Sequence, residues 1–418
     1  MTRVALLSSE PVRERMAGIG IRYLELARRL PRPGIEVVLV SPAATGDVPA
    51  IPGEARTFVR GSLRTLLADC DAAVAQGQLA NDLLLELPEL PVAVDLYDPW
   101  LVENAHYLGT LGLDPWRNDH ATWVLQLSRG DLFLCSSPEQ RLYYAGFLTA
   151  LGRVNPERLA EDPDLDRLLA EVPFGTPDEL PPHRPLLPAR AGDERRILFG
   201  GLYDWYDPLT LLAALARLDA RWELYLVRNP NAAETPQSLL SSVEREARAR
   251  GWWGERVRLL DWVAAERRFD LLRDVDVLCP PHHPNLETRL SLRTRFLDAL
   301  AAGCPVIATD GGVISRLVRE HDAGWVVPPE DPAVLAGALG EALADDALRA
   351  RRRANGLALA AAFSWERALA PLVRFCAAPW KDATRERFVF VPSTVAPPDA
   401  LGFRLRRRLR RALGPTRG

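Results

Sequence analysis

Short apolar runs alternate with helical patterns along nearly the whole chain, and this alternation constrains the fold more than any other feature. In the front half the runs are "VALLSS", "EVVLVSP", "DAAVAQ", "VAVDLY" and "LFLCSS". In the back half they are "RILFGG", "WELYLV", "VRLLD", "VDVLCP" and "PVIATD". Regular strand–helix alternation implies parallel, doubly wound sheets. Between the halves, Gly175 to Asp193 reads "GTPDELPPHRPLLPARAGD", dense in proline and without periodicity, as a linker does. At 418 residues the chain exceeds what one hydrophobic core supports. Two Rossmann-like α/β domains facing each other across a cleft are therefore expected.

Their expected extents are 1–178 and 195–364, joined by a linker at 179–194. A helical segment at 365–385 packs back toward the first domain, and 386–418 form a basic tail. Three helix starts carry a capping residue followed by proline: Asp207-Pro208, Thr235-Pro236 and Asp331-Pro332.

Composition excludes several classes. The chain is 48% hydrophobic and 26% charged, an ordinary soluble profile, and its net charge of −3 gives no pull toward nucleic acid. Cys70, Cys135, Cys279, Cys304 and Cys376 are scattered and odd in number, without C-x-x-C spacing. That fits a reducing compartment and argues against a zinc site. The opening "MTRVALLSSEP" is a first strand rather than a signal peptide, and no run reaches the ~18 apolar residues of a membrane span. A cytoplasmic protein is expected.

Ligands of such sheets bind beyond the carboxyl ends of the strands. Three loops qualify. Gly18 and Gly20 lie just before a helix, where backbone N–H groups can approach an anion. Gly200 and Gly201 end the first strand of the back half, in "FGGLYDWYDP", with Trp205 close by. In "RTRFLDALAAGCPVIATDGG" a helix beginning near Leu292 places Arg293, Thr294 and Arg295 at its positive end. Asp310, Gly311 and Gly312 end the strand after it. Together these loops describe a site for a diphosphate-bearing ligand; the bland alternative is that strand ends need flexible turns.

The order "AGIGIRYLELARRL", "RILFGGLYDW" and "LDALAAGCPVIATDGGVISRLVREHDAGWVVPPEDPAVLAGAL" resembles glycosyltransferase family 4. The resemblance implies the GT-B fold and sugar transfer from a nucleotide diphosphate to an acceptor, with retention of configuration and no metal. It places the donor mainly on the second domain and the acceptor mainly on the first. No convincing D-x-D metal motif is present: Asp274-Val275-Asp276 is a strand entry and "DPDLD" a surface turn.

The sequence departs from the family pattern. Of its two glutamates the second becomes Asp298, a ribose partner, and the first falls on Leu290, with Glu287 three residues earlier as a substitute. The family's arginine and lysine phosphate clamps read Leu202 and Asp207. Its histidine after the fourth strand reads Tyr97, beside Asp95 and Asp98. Either catalysis is lost, or the donor site is rebuilt with Arg293, Arg295, Trp205 and Glu287, as in a branch of bacterial surface-polysaccharide enzymes that "HHPNLETRLSLRTRFLDAL" resembles. On the rebuilt reading Arg293, Arg295, Tyr97 and Asp98 carry the chemistry. The donor then meets Gly18, Gly20, Gly200, Gly201, Trp205, His282, Glu287, Thr294, Asp298, Asp310, Gly311 and Gly312. Arg295 has a second reading, as an i,i+3 ion pair with Asp298. Tyr97 and Asp98 either exchange the proton or orient the acceptor.

The tail "FRLRRRLRRALGPTRG" mixes Phe403, Leu405, Leu409 and Leu413 with arginines, which fits an anionic membrane surface and a lipid-linked acceptor, or a solubilising tail. Three classes result: a surface-polysaccharide glycosyltransferase; another GT-B enzyme such as an epimerase or phosphorylase; or a non-catalytic nucleotide- or glycan-binding protein.

Overall fold

The computed structural model of the protein describes residues 1–190, 192–228 and 238–389. It divides into two units. The first holds Met1–Arg13, Ile19–Val172 and the chain from Ala370; the second holds Glu14–Gly18 and Pro173–Leu369.

The first unit is built on seven strands: β1 (Thr2–Leu7), β2 (Ile35–Ser41), β3 (Glu54–Thr57), β4 (Ala72–Ala75), β5 (Val92–Asp95), β6 (Leu132–Cys135) and β7 (Leu169–Glu171). They pair in parallel in the order β3-β2-β1-β4-β5-β6-β7. Val4, Ala5, Leu6 and Leu7 of β1 are all fully buried, as a strand covered on both faces requires. The order reverses between β1 and β4, the position where doubly wound sheets open a crevice.

The second unit carries β8 (Arg195–Gly201), β9 (Trp222–Val227), β10 (Val257–Leu260), β11 (Val277–Leu278), β12 (Val306–Thr309) and β13 (Gly324–Val327). These are parallel in the order β10-β9-β8-β11-β12-β13, reversing between β8 and β11. Gly200, next to last in β8, has φ +89°, and the register against β9 shifts between it and Leu198. Strand β11 is only two residues long because Pro280 and Pro281, which follow Cys279, have no N–H to donate to a ladder. Both switch points therefore stand where the sequence places ligand loops.

Three strands extend those read from the sequence. Strand β3 (EART) has no apolar run, being a half-exposed edge; β7 (LAE) is too short to signal; β13 (GWVV) is masked by its glycine. The caps at Asp207 and Asp331 form, with Asp207 accepting from Thr210 N at 3.0 Å and Asp331 from Ala333 N and Val334 N. Thr235, Pro236 and the basic stretch from Phe403 to Leu413 lie outside the described residues. Among the described residues no helix is long and apolar enough to cross a membrane.

The proline-rich segment is anchored to the second unit. Its few N–H groups are taken by carboxylates: Leu186 and Leu187 donate to Asp274 at 2.6 and 2.9 Å, and Arg184 N donates to Asp270 at 3.1 Å. Asp276 accepts from Arg196 N and Arg190 Nη1, both at 2.7 Å. The aspartates on either side of Val275 thus hold this segment in place.

Two local expectations are corrected. Gly18 and Gly20 do not precede the helix but form its first turn, since the helix runs Gly18–Arg29. The helix expected near Leu292 starts at Thr294 and ends at Ala301, because Arg293 sits at its N-cap with ψ 102°.

Candidate active site

The second unit gathers most of the candidate residues at its switch point. After β11 a loop and a one-turn helix, Leu286–Leu290, carry His282 and Glu287; the extended Ser291 breaks that helix and turns the chain into Thr294–Ala301. The break folds Arg293 back onto Glu287: Nη1 donates to Oε1 at 2.7 Å and Nη2 to Oε2, with Glu287 fully buried. Glu287 is thus held as the counter-ion of Arg293.

Arg295 lies on the other side of the helix start, against the end of β8. Its Nη1 donates to Phe199 O at 3.2 Å, Gly201 O at 3.3 Å and the Tyr206 hydroxyl at 3.3 Å. The guanidinium covers Gly200 so closely that a Cβ there would sit 2.8 Å from it. No described carboxylate forms a salt bridge with Arg295. The expected alternative, a pair with Asp298, is replaced: Asp298 accepts from Arg268 Nε at 3.0 Å, because its position on the helix turns it toward the Arg268–Asp274 helix.

Tyr206 joins the two arginines. Both guanidinium carbons lie 5.6 Å from its ring centroid, within cation–π range. On the same aromatic cluster Tyr203 stacks on Trp205 at 5.1 Å, and Tyr206 meets His282 edge-on at 4.5 Å. Trp205 is buried, so it packs the loop rather than presenting a free face. His282 is buried as well; burial first, then the charges of Arg293 and Arg295, drives its pKa well below the ordinary histidine value, so the ring is neutral.

The Asp310–Gly312 loop closes the group. Asp310 accepts from Gly311 N at 2.8 Å and pairs with Arg319, and these contacts hold its pKa below the ordinary value, the Arg319 bond most of all. Gly311 has φ +104°, and a Cβ on Gly312 would lie 2.3 Å from Thr288 O, so the close approach needs glycine. Thr294 stands partly exposed at the first helical position.

The first unit holds Gly20, Tyr97 and Asp98, and Gly18 falls in the Glu14–Gly18 segment of the second. Asp95 is fully buried and takes Arg22 Nε at 2.7 Å and Nη2 at 3.0 Å, which locks it as a structural counter-ion. Arg22 Nη2 also donates to Val172 O at 2.9 Å, and the guanidinium carbon lies 4.5 Å from the Tyr97 ring centroid. Burial, then Asp98, pushes the Tyr97 phenol well above its usual pKa, so it is a proton donor and no base at neutral pH. Asp98 is half-buried just past β5.

A family model described as glycosyl transferases group 1 matches residues 194–345, the part of the chain that carries this arrangement. The D-inositol 3-phosphate glycosyltransferase of Xylanimonas cellulosilytica is 26% identical over 424 residues, covering 89% of this chain and 95% of that protein. Over residues 194–345 the chain is a member of glycosyl transferases group 1, and its fold is GT-B.

A phosphatidyl-myo-inositol mannosyltransferase of Mycolicibacterium smegmatis is 29% identical to this glycosyltransferase over 234 residues; the match covers 54% of the chain and 56% of that relative, about half its length. Among solved structures, sucrose-phosphate synthase of Thermosynechococcus elongatus superposes with TM-score 0.65 at 18% identity, covering 90% of this chain and 98% of that one. Anabaena Alr3699/HepE, solved with UDP and glucose, gives TM-score 0.60 at 18% identity, covering 90% and 99%. Identities this low speak for the fold.

Three residues of the glycosyltransferase's candidate sites escaped the sequence reading. Tyr206 was visible in "LYDWYDP", yet the neighbouring Trp205 drew the stacking assignment. Arg268 lies 30 residues from its partner Asp298, and Arg22 lies 73 residues from Asp95, so neither pairing has a local signal.

Proposed function

We propose that this protein transfers a hexose from a nucleoside-diphosphate sugar to an acceptor hydroxyl, with retention of configuration and without a metal ion. One observation carries the reading: Arg293 and Arg295 flank Tyr206 at the start of the Thr294–Ala301 helix, with Arg295 against Gly200 and Gly201 at the switch point of the second unit. Breaking the glycosidic bond leaves negative charge on the departing diphosphate, and preorganised cations beside a helix N-terminus stabilise that charge where it develops. Arg293 is neutralised by Glu287, so Arg295 is the cation with charge to spare. The half-buried Asp98 and the phenol of Tyr97 are the groups of the first unit offered to the acceptor.

The names of the relatives favour an acceptor hydroxyl on an inositol or sugar ring, including a lipid-linked one. The basic pattern of 403–413 fits an anionic membrane surface serving such an acceptor. Surface glycoconjugate assembly in the cytoplasm is the corresponding role. Incubating the full chain with UDP-, GDP- and dTDP-linked hexoses and inositol or glycan acceptors, with and without EDTA, tests the reading. Product with the donor's anomeric configuration, formed equally in EDTA, is expected. Absence of both binding and turnover for every donor overturns it.

A further inference from the structure

A small recess of about 10 Å³ opens beside the helix starts at Thr294 and Val313, with His282, Thr288, Ser291, Arg293, Thr309 and Ser315 in its wall. That is room for one water-sized group, not for the three oxygens of a phosphate. The hydroxyls of the wall are largely engaged. Thr309 Oγ1 accepts from His282 N at 3.1 Å, Thr288 Oγ1 donates to His283 O at 2.9 Å, and Ser315 Oγ donates to Gly312 O at 2.8 Å. His282 Nε2 differs: it is buried and has no hydrogen-bond partner among the described residues. Buried polar atoms without partners are rare in folded proteins, and each calls for a water or a ligand to match it.

Charge narrows the guest. The one cation in the wall, Arg293, is already paired to Glu287, so an anion would gain no unspent charge there. The neutral ring of His282 offers a single hydrogen bond at Nε2, as acceptor or donor according to tautomer.

We propose that this recess is a specificity subsite that takes one uncharged hydroxyl of the donor sugar, read by His282 Nε2. The inference rests on the donor reading above. A site that must match a buried polar atom rejects a ligand lacking the hydroxyl, because the atom is then left unpaired. The recess thereby separates hexoses that differ at one carbon, a task for which Arg295, read above as facing the departing diphosphate, is unsuited.

The test compares the donor that the wild-type protein uses with its four monodeoxy analogues, in wild type, His282→Ala and His282→Gln, with melting temperatures recorded. For wild type, kcat/KM should fall about tenfold or more for one analogue, the scale of a buried hydrogen bond. His282→Ala should lose that discrimination, His282→Gln should keep part of it, and UDP or GDP alone should bind all three forms equally. Unchanged discrimination in both folded variants overturns the proposal and leaves only a trapped water. Loss of affinity for the free nucleotide in step with the sugar also overturns it, by placing the contact on the ribose. Should wild type bind no sugar nucleotide, the donor reading itself fails, an outcome distinct from turnover that ignores His282.

Discussion

The Arg293 guanidinium lies bidentate across the fully buried carboxylate of Glu287, six residues before it. Removing one partner of such a pair leaves an uncompensated buried charge, whereas replacing both with apolar side chains of similar size is often neutral. Glu287→Leu or Arg293→Met alone should therefore lower stability by about 3–5 kcal/mol. The double variant should recover most of that loss. Chemical denaturation of the three variants checks it, and turnover by the double variant isolates any part Arg293 takes in the chemistry. A stable double variant with parental turnover would confine Arg293 to structure.

Arg295 should behave differently, since its partners are two carbonyls and a phenol. If its charge acts on the departing diphosphate, Arg295→Ala should lower kcat by roughly two to three orders of magnitude. Substrate affinity should change far less, because only differential stabilisation speeds the chemical step. Lysine should rescue in part, lacking the planar fork. Single-turnover rates beside nucleotide Kd values decide it; parental rates in Arg295→Ala would remove the residue from the mechanism.

Gly200 supplies an independent handle on the same cation. At φ +89° any L side chain is strained by about 1–2 kcal/mol, and a Cβ would press on the Arg295 guanidinium. Gly200→Ala should lose stability on that scale and also shift Arg295, reproducing part of the kcat defect. A stable Gly200→Ala with full turnover would show that the guanidinium tolerates displacement.

The fold was legible because its signals are local. Strands such as "VALLSS" and "EVVLVSP" are apolar throughout, and caps at Asp207 and Asp331 declare themselves within three residues. What escaped is long-range or breaks periodicity. The Glu287–Arg293 spacing of six belongs to no helix; it arises because the chain turns extended at Ser291 between two short helices. The family pattern singles out Asp298 as a ribose partner, but its ion-pair partner Arg268 comes from another helix. The burial of Trp205 and His282 follows from aromatic packing around Tyr206, which no spacing rule foretells.

Asp298 and Arg268 form the next test. Asp298→Ala removes a carboxylate that is buried beside Arg268. If Asp298 also binds the donor ribose, nucleotide affinity should fall by about 1.5–3 kcal/mol, the scale of a charge-assisted hydrogen bond. Arg268→Ala, which keeps the carboxylate and removes its orienting partner, should fall less. Calorimetry with UDP and GDP distinguishes the cases, and unchanged affinity in both variants would assign the pair to stability alone.

Within the first unit, Asp382 ties the chain after the helix Trp365–Ala377 to Arg153 and Arg158. Its carboxylate takes Arg153 Nη2 at 2.8 Å, Arg158 Nη2 and the Thr384 hydroxyl at 2.7 Å. Burial alone would raise its pKa, but Arg153, Thr384 and Arg158 together outweigh that and hold the group at about 2 against an ordinary 3.8. A folded pKa below the unfolded one means stability that is fully present above the unfolded value. It is lost as pH falls from about 4 toward 2. Asp382→Asn should therefore melt well below the parent at pH 7, with the gap closing as pH drops through that window. Removing the charge also leaves Arg153 buried without its carboxylate, so the neutral-pH deficit should exceed that of an exposed salt bridge. Melting curves of both proteins from pH 7 to pH 3 measure it, and a deficit that stays constant over that range would mean the shape of the side chain, rather than its ionisation, secures the segment.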